Sequence, residues 1–471
     1  MEVMRMSNRL AVLILPILAA VAHAADLPAN YPQTANRLID AALADRTSMD
    51  RLEYLCYQIG NRLSGSQGLE RAIQWSAEEM RKAGLENVRT IPVKVPHWVR
   101  GRESARLVAP AEQPLYILGL GGSVATPKEG ITADVVVVSS FDELEKLGRA
   151  AVQGKIVLYD APFTSYGETV AYRGAGASRA AHLGAVAALV RSVTARSLRD
   201  PHTGAMRYSA GDPQIPTAAV SVEDAMWLHG LARAGQNVRV HLEMEARTDA
   251  DADSFDVMGE IVGSEKPDEI IAIGGHIDSW DVGQGAHDDG ASLMAALEAV
   301  SLMKKLGIRP RRTIRVVFWT NEENGGRGGV AYRDWLGDNV GKHVAAIEMD
   351  GGAETPVGFE VAASASPRRR ARAGGAAAPP TVPADFQPKV AAIAKLLARI
   401  HSDKVVVGES EADVEPLLAA GVPVLGLRTT MEHYFDYHHT EADTFDKVNR
   451  EDFRKCVATF AVMAWGLAEW K

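Results

Sequence analysis

From Asp253 onward, short unbroken apolar runs alternate with longer segments of helical spacing. The apolar runs are Ile270 to Ile273, Thr313 to Trp319, Val344 to Ile347 and Val422 to Leu427. Runs of this kind suit strands covered on both faces. The helical segments are Ala291 to Leu306, Val330 to Trp335, Lys389 to His401 and Glu451 to Trp470. The alternation predicts an α/β fold, a mostly parallel sheet with helices on both faces. Upstream, Ser48 to Ile59 and Leu69 to Ala83 read as helices, the second ended by Gly84. Arg62 to Ser66 reads as a turn between them, and Thr90 to Val95 as extended chain.

The texture changes near Gly119. Glycine-rich turns there surround the apolar strands Val135 to Val138, Ile156 to Tyr159, Ala185 to Val190 and Val238 to Glu245. The pattern predicts a strand-rich unit over 119–249, large enough to be a domain of its own. It holds no cluster of His, Asp, Glu or Cys at ligand spacing. It reads as an insertion into an α/β domain built from 25–118 and 250–471.

Composition adds bounds. The chain has 471 residues, too many for one ordinary core. Its 46% hydrophobic and 24% charged residues are a soluble globular balance. The net charge of -9 argues against nucleic acid as a partner. Residues 1–24 have the pattern of a signal peptide: Arg5 and Arg9, the apolar run Leu10 to Val21, then Ala22-His23-Ala24 before Ala25. The expectation is export to a periplasm or the medium, with cleavage near Ala24. No later stretch reaches the roughly 20 apolar residues of a membrane span, so no stable membrane insertion is expected. Cys56 and Cys456 each sit on an apolar helical face and read as buried thiols, with a bridge between them left open. Pro367 to Pro383, with Arg368, Arg369, Arg370 and Arg372, reads as a low-complexity surface loop.

Four clusters carry candidate chemistry. The first runs from Gly274 through His276 and Asp278 to the Asp288-Asp289 pair. The second is Thr320-Asn321-Glu322-Glu323. The third is Glu348-Met349-Asp350-Gly351, and the fourth Tyr437-His438-His439-Thr440-Glu441-Ala442-Asp443-Thr444. The first three follow predicted strands at their carboxyl ends, where open α/β sheets bind ligands. Taken singly, each cluster reads equally well as a turn or a structural histidine. Together they form a set of His, Asp and Glu donors without Cys, which suits catalytic zinc. Such a site would activate water and polarise a peptide carbonyl. Asp278, two residues past His276, is placed to accept the second imidazole N–H.

These clusters resemble a two-zinc exopeptidase family, the one that contains carboxypeptidase Q and bacterial two-zinc aminopeptidases. The shared pattern is H-x-D, a D-[DN] pair, E-E, D-G and H-T-x-x-D-T. The resemblance implies His276 and Asp350 as ligands of one zinc and Glu323 and His439 as ligands of the other. It implies Asp288 as the bridge between two Zn2+ per chain, Glu322 as the general base and Asp278 as the carboxylate behind the first histidine. His438 has no ligand counterpart. His287 is a departure from the pattern. The likeness to carboxypeptidase Q extends to Arg62-Leu63-Ser64-Gly65-Ser66, Pro96-His97-Trp98 and Gly421-Val422-Pro423. It implies that the inserted unit is a protease-associated domain, that the substrates are dipeptides or short peptides, and it allows a homodimer. Two other readings share the fold: an aminopeptidase, whose metal chemistry is the same, and a binding scaffold that has lost its metals. The scaffold is disfavoured because all five ligands and the base are present. A glutaminyl cyclase-like acyltransferase would be told apart by its cyclised product.

Overall fold

A computed structural model describes residues 27–28, 30–364 and 383–471. The expected signal peptide lies outside the described residues, as does all of the Pro367 to Pro383 run except Pro383. The described chain forms two eight-stranded sheets with helices packed on them.

The larger sheet contains β1 (Glu86–Val99), β2 (Arg247–Ile261), β3 (Lys266–His276), β4 (Arg312–Trp319), β5 (His343–Glu348), β6 (Pro356–Ser364), β7 (Lys404–Glu409) and β8 (Val424–Thr429). Its order is β1-β2-β4-β3-β5-β8-β6-β7. The centre, β4-β3-β5-β8, is parallel. The flanks bring in antiparallel pairs, β1 with β2, β2 with β4 and β8 with β6, while β6 and β7 at the far edge pair parallel. Four of the seven pairings are parallel, so the sheet has a parallel majority with antiparallel pairs toward its flanks. Strand direction follows connectivity, which local apolar content does not encode.

Every residue of β4 is buried, as befits a strand sandwiched between helices. Helix α1 (Gln67–Lys82) is capped by Ser66, whose hydroxyl accepts the Leu69 N–H. Gly84, at φ +77°, lets the chain leave that helix in a conformation costly for other residues.

The second sheet runs in the order Gln113–Leu115, Glu103–Ala109, Arg239–Met244, Ile131–Val138, Ile156–Tyr159, Ala187–Arg191, Thr217–Val220, Ile117–Gly119. Its first strand begins at Glu103, upstream of the expected boundary at 119. Ala105 and Leu107 alternate inward there, and pair with Leu242 and Val240. The unit also has three helices: Phe141–Val152, α2 (Tyr166–His182) and Val222–Arg233. Helix α2 is rich in Gly and Ala, so its apolar face carries little contrast and the sequence pattern passes over it.

On the larger sheet, α3 (Ala291–Lys305) and α4 (Arg450–Glu469) pack together against one face. Cys56 and Cys456 are buried and unpaired; no bridge joins them. Among the described residues no helix is long and apolar enough to cross a membrane.

Candidate active site

The parallel register sets the site. His276, the last residue of β3, is level with Trp319, the last of β4, and Gly274 is level with Glu348, the last of β5. Three loops therefore leave the sheet at one edge, carrying Glu322 and Glu323, Asp350, and the loop after His276. Asp289 ties that last loop back to the strand: its carboxylate accepts the His276 N–H at 3.0 Å. A side chain at Gly275 would collide with that carboxylate, so the glycine is required there.

Asp288 and His439 complete the cluster. The Asp443 carboxylate accepts the N–H groups of His287 at 2.7 Å and of Asp288 at 3.1 Å, and so fixes the Asp288 backbone. Arg62, fully buried, donates to the carbonyls of Ile277, Gly60, Gln284 and Gly285 at 2.8 to 2.9 Å. It thereby clamps both ends of the loop.

Asp288 divides the cluster in two. Its Oδ1 lies 3.2 Å from His276 Nε2, which lies 3.3 Å from Asp350 Oδ1. Its Oδ2 lies 3.3 Å from His439 Nε2, which lies 3.0 Å from Glu323 Oε2. Zinc bonds of about 2.0–2.1 Å in a tetrahedron put neighbouring donors about 3.3–3.4 Å apart. The observed separations fit that edge. Asp288 Oδ2 and Glu323 Oε1 are buried without a hydrogen-bond partner, which is what ligand oxygens look like before a cation is added.

The electrostatics point the same way. Burial, with Asp288 adding repulsion, pushes the Glu323 carboxyl up to about 8. Burial, with Glu322 and Asp288, pushes Asp350 up to about 6. Burial works against a charged His276, yet Asp278, Asp288 and Asp350 carry it well above its ordinary range. Carboxylates packed this closely call for positive charge among them.

Glu322 is half-buried and lines a cleft of about 930 Å³ together with Asp288, Glu323 and Asp350. Asp278 behaves differently from expectation. His276 Nδ1 is 3.0 Å from the Asp278 main-chain carbonyl and 3.7 Å from its carboxylate. The carboxylate instead accepts the N–H groups of Glu322 at 3.0 Å and Glu323 at 3.3 Å. Those N–H groups follow the end of β4 and have no strand partner, so they compete for it. His287 points away from the cluster; its Nδ1 accepts the Ala353 N–H at 3.3 Å and its ring stacks on Tyr437. His438 stacks on His439 at 3.6 Å between ring centroids and reaches within 3.8 Å of Asp288 Oδ2. It stands at the margin of the cluster rather than apart from it.

The second sheet's unit closes one side. The Thr203 carbonyl is 3.2 Å from His439 Nδ1, and the Thr203 N–H donates to the His439 carbonyl at 3.0 Å. Trp280 packs against Gly121, where a side chain would not fit, and against Trp98 and His439. Sequence reasoning gave no role to Arg62, Asp289, Thr203, Trp280 or Asp443. Three left a trace: Asp289 and Asp443 as members of the D-D and H-T-x-x-D-T patterns, and Arg62 in the Arg62 to Ser66 likeness.

Residues 256–464, which hold the whole cluster, match the model of peptidase family M28. Carboxypeptidase Q of Mus musculus is 40% identical over 444 residues, covering 94% of this chain and 90% of the relative. The chain belongs to peptidase family M28. The solved peptidase M28 precursor of Shewanella amazonensis is 34% identical with a TM-score of 0.84, over 94% of this chain and 97% of that one. A zinc aminopeptidase of Bacillus subtilis shares the fold, with 18% identity and a TM-score of 0.63 over 89% and 93% of the chains. The match to the Shewanella M28 peptidase spans both sheets, so the two-sheet architecture is common to the two proteins.

Proposed function

We propose that this chain is a zinc-dependent exopeptidase of the carboxypeptidase Q kind, hydrolysing dipeptides or short peptides. The observation that carries the reading is the Asp288 carboxylate, with each oxygen facing a separate His-and-carboxylate pair. In this reading His276 and Asp350 would hold one zinc, Glu323 and His439 would hold the other, and Asp288 would serve both. Bound zinc supplies an acidified water and an electrophile for the peptide carbonyl. Glu322, at the cleft, takes the proton of the attacking water and passes it to the leaving amine. Asp278 positions that base by holding the N–H groups of the Glu322-Glu323 pair. The unit built on the second sheet acts as a protease-associated-like insertion that walls the cleft. Residues 1–24 act as an export signal, which puts the enzyme in the periplasm or medium.

Support comes from the donor chemistry, from the 40% identity to carboxypeptidase Q and from the zinc in the aminopeptidase that shares the fold. An aminopeptidase is the second reading, favoured by the acidic residues Glu360, Glu409 and Glu411 on the cleft, which suit a free amino group.

Metal analysis of the purified protein tests the assignment. It should carry close to two zincs, lose activity with a chelator, and leave peptides blocked at both ends intact. Full activity in metal-free protein, or internal cleavage of blocked peptides, would overturn it.

A further inference from the structure

The cleft has two unlike walls. One presents Glu360, Glu409 and Glu411. The other is α2, which presents Arg173 and Arg179. Arg179 is engaged elsewhere: it pairs with Glu145 at 2.8 Å and lies over the Phe141 ring. Arg173 is not. It is 5% exposed, and among the described residues it forms no ion pair with a carboxylate.

What holds Arg173 is neutral. One terminal nitrogen donates to the Thr203 carbonyl at 3.1 Å and the other to the Tyr166 hydroxyl at 2.7 Å. Its Nε is buried with no hydrogen-bond partner. Gly204, at φ +140°, lies against the guanidinium with no room for a side chain. The group is thus fixed in place, with donor capacity to spare. A buried guanidinium without a counter-ion is costly, and a planar fork of donors matches a carboxylate.

Its position selects which carboxylate. Arg173 Nη1 is 3.3 Å from His439 Nδ1, one imidazole ring away from the atoms that face Glu323 and Asp288. In a peptide, three bonds separate the last carbonyl carbon from the terminal carboxyl carbon, a span of about 3–4 Å. A terminal carboxylate one residue beyond the scissile bond is therefore within reach of Arg173. A free amino group is not what a guanidinium accepts.

We propose that Arg173 receives the α-carboxylate of the peptide's C-terminal residue, and so makes the enzyme a carboxypeptidase that releases one residue per cleavage. This rests on the peptidase reading above.

Hydrolysis of Ala-Leu, Ala-Leu-amide and Ala-Glu-amide by zinc-loaded protein tests it, with kcat and KM measured separately. Wild type should favour Ala-Leu over both amides by about 10²-fold in kcat/KM, the worth of a charged hydrogen-bond pair. Arg173→Gln should lose most of that preference, chiefly through KM, with zinc content equal to wild type. Arg173→Lys should recover part of it. Free leucine should inhibit wild type more strongly than leucinamide does, a comparison that needs no variant to fold. Equal cleavage of Ala-Leu and its amide by wild type would overturn the proposal. So would an equal loss on acid and amide in Arg173→Gln, which marks a purely structural role. Preference for Ala-Glu-amide over Ala-Leu would mean that a side-chain carboxylate is the true ligand, and overturn it too. If zinc-loaded wild type hydrolyses none of the three, the peptidase reading itself fails.

Discussion

The floor and the wall of the cleft are built on different principles. The floor is the donor cluster at the carboxyl edge of the larger sheet, where His276 ends a strand and Glu323 and Asp350 follow one. The wall is contributed by the second sheet's unit through α2, Thr203 and the packing of Gly121 on Trp280. In the floor, chemistry dictates residue type, because only a few side chains bind zinc. In the wall, position matters more than type: a main-chain carbonyl at Thr203 does its work without reference to the threonine side chain. Loss of a floor residue should therefore remove chemistry outright, while loss of a wall residue should loosen or misdirect it.

The sharpest test of that contrast is Asp288→Ala. It removes the carboxylate shared by both halves of the cluster, so metal content should fall and activity should drop close to zero. Near-normal zinc content and turnover would erase the distinction.

The adjacent glutamates give the next largest effect. Glu322→Gln should lower kcat by roughly 10²–10⁴-fold with zinc retained, the usual worth of general acid–base catalysis. Glu323→Gln should instead weaken metal binding, and added zinc should restore part of the activity. Metal analysis beside kinetics separates the two, and rescue of Glu322→Gln by zinc would reverse the roles.

Asp443→Asn tests the support beneath the floor. One of its two oxygens becomes a donor facing an N–H, so the Asp288 loop should loosen. Zinc affinity, read by competition with a chelator, should fall by roughly 10–100-fold, as for other groups behind a metal ligand. Unchanged affinity would mean that Arg62 alone holds the loop.

The smallest effect belongs to the seam between the units. Arg100 donates to Asp281 at 2.6 and 2.9 Å and to the Gly119 carbonyl, linking β1's end to the second sheet and to the loop after β3. Arg100→Gln should cost about 1.5–3 kcal/mol, the range for hydrogen bonds to charged groups, seen as a lowered Tm. Zinc content should stay at the wild-type level; loss of zinc would show that the wall also holds the floor together.

Much of the floor can be read without coordinates. H-x-D, E-E and D-G stand at strand ends and D-D at the entry to α3; each donor type has few substitutes, and the strands announce themselves as apolar runs. The wall cannot be read so easily. Helix α2 hides in Gly and Ala, and Arg173 sits in it like any surface arginine of a Gly-rich segment. The boundary shows the same limit: Glu103–Ala109 alternates like an edge strand of either sheet, and only its pairing with Arg239–Met244 assigns it to the second.

The sequence by itself determined the family and the parallel centre of the larger sheet, and it singled out the side chains proposed as donors. Those depend on local apolar content and on side-chain chemistry, both carried residue by residue. Tertiary structure alone decided which flanking strands pair antiparallel, and that the Asp278 carboxylate, 3.7 Å from His276 Nδ1, makes its hydrogen bonds to the glutamate backbone. It also decided that Arg173, separated from His439 by 266 positions, lies 3.3 Å from it. The reason is physical: strand direction, competition for an acceptor and the approach of a distant side chain are settled by packing. They leave no periodic trace along the chain.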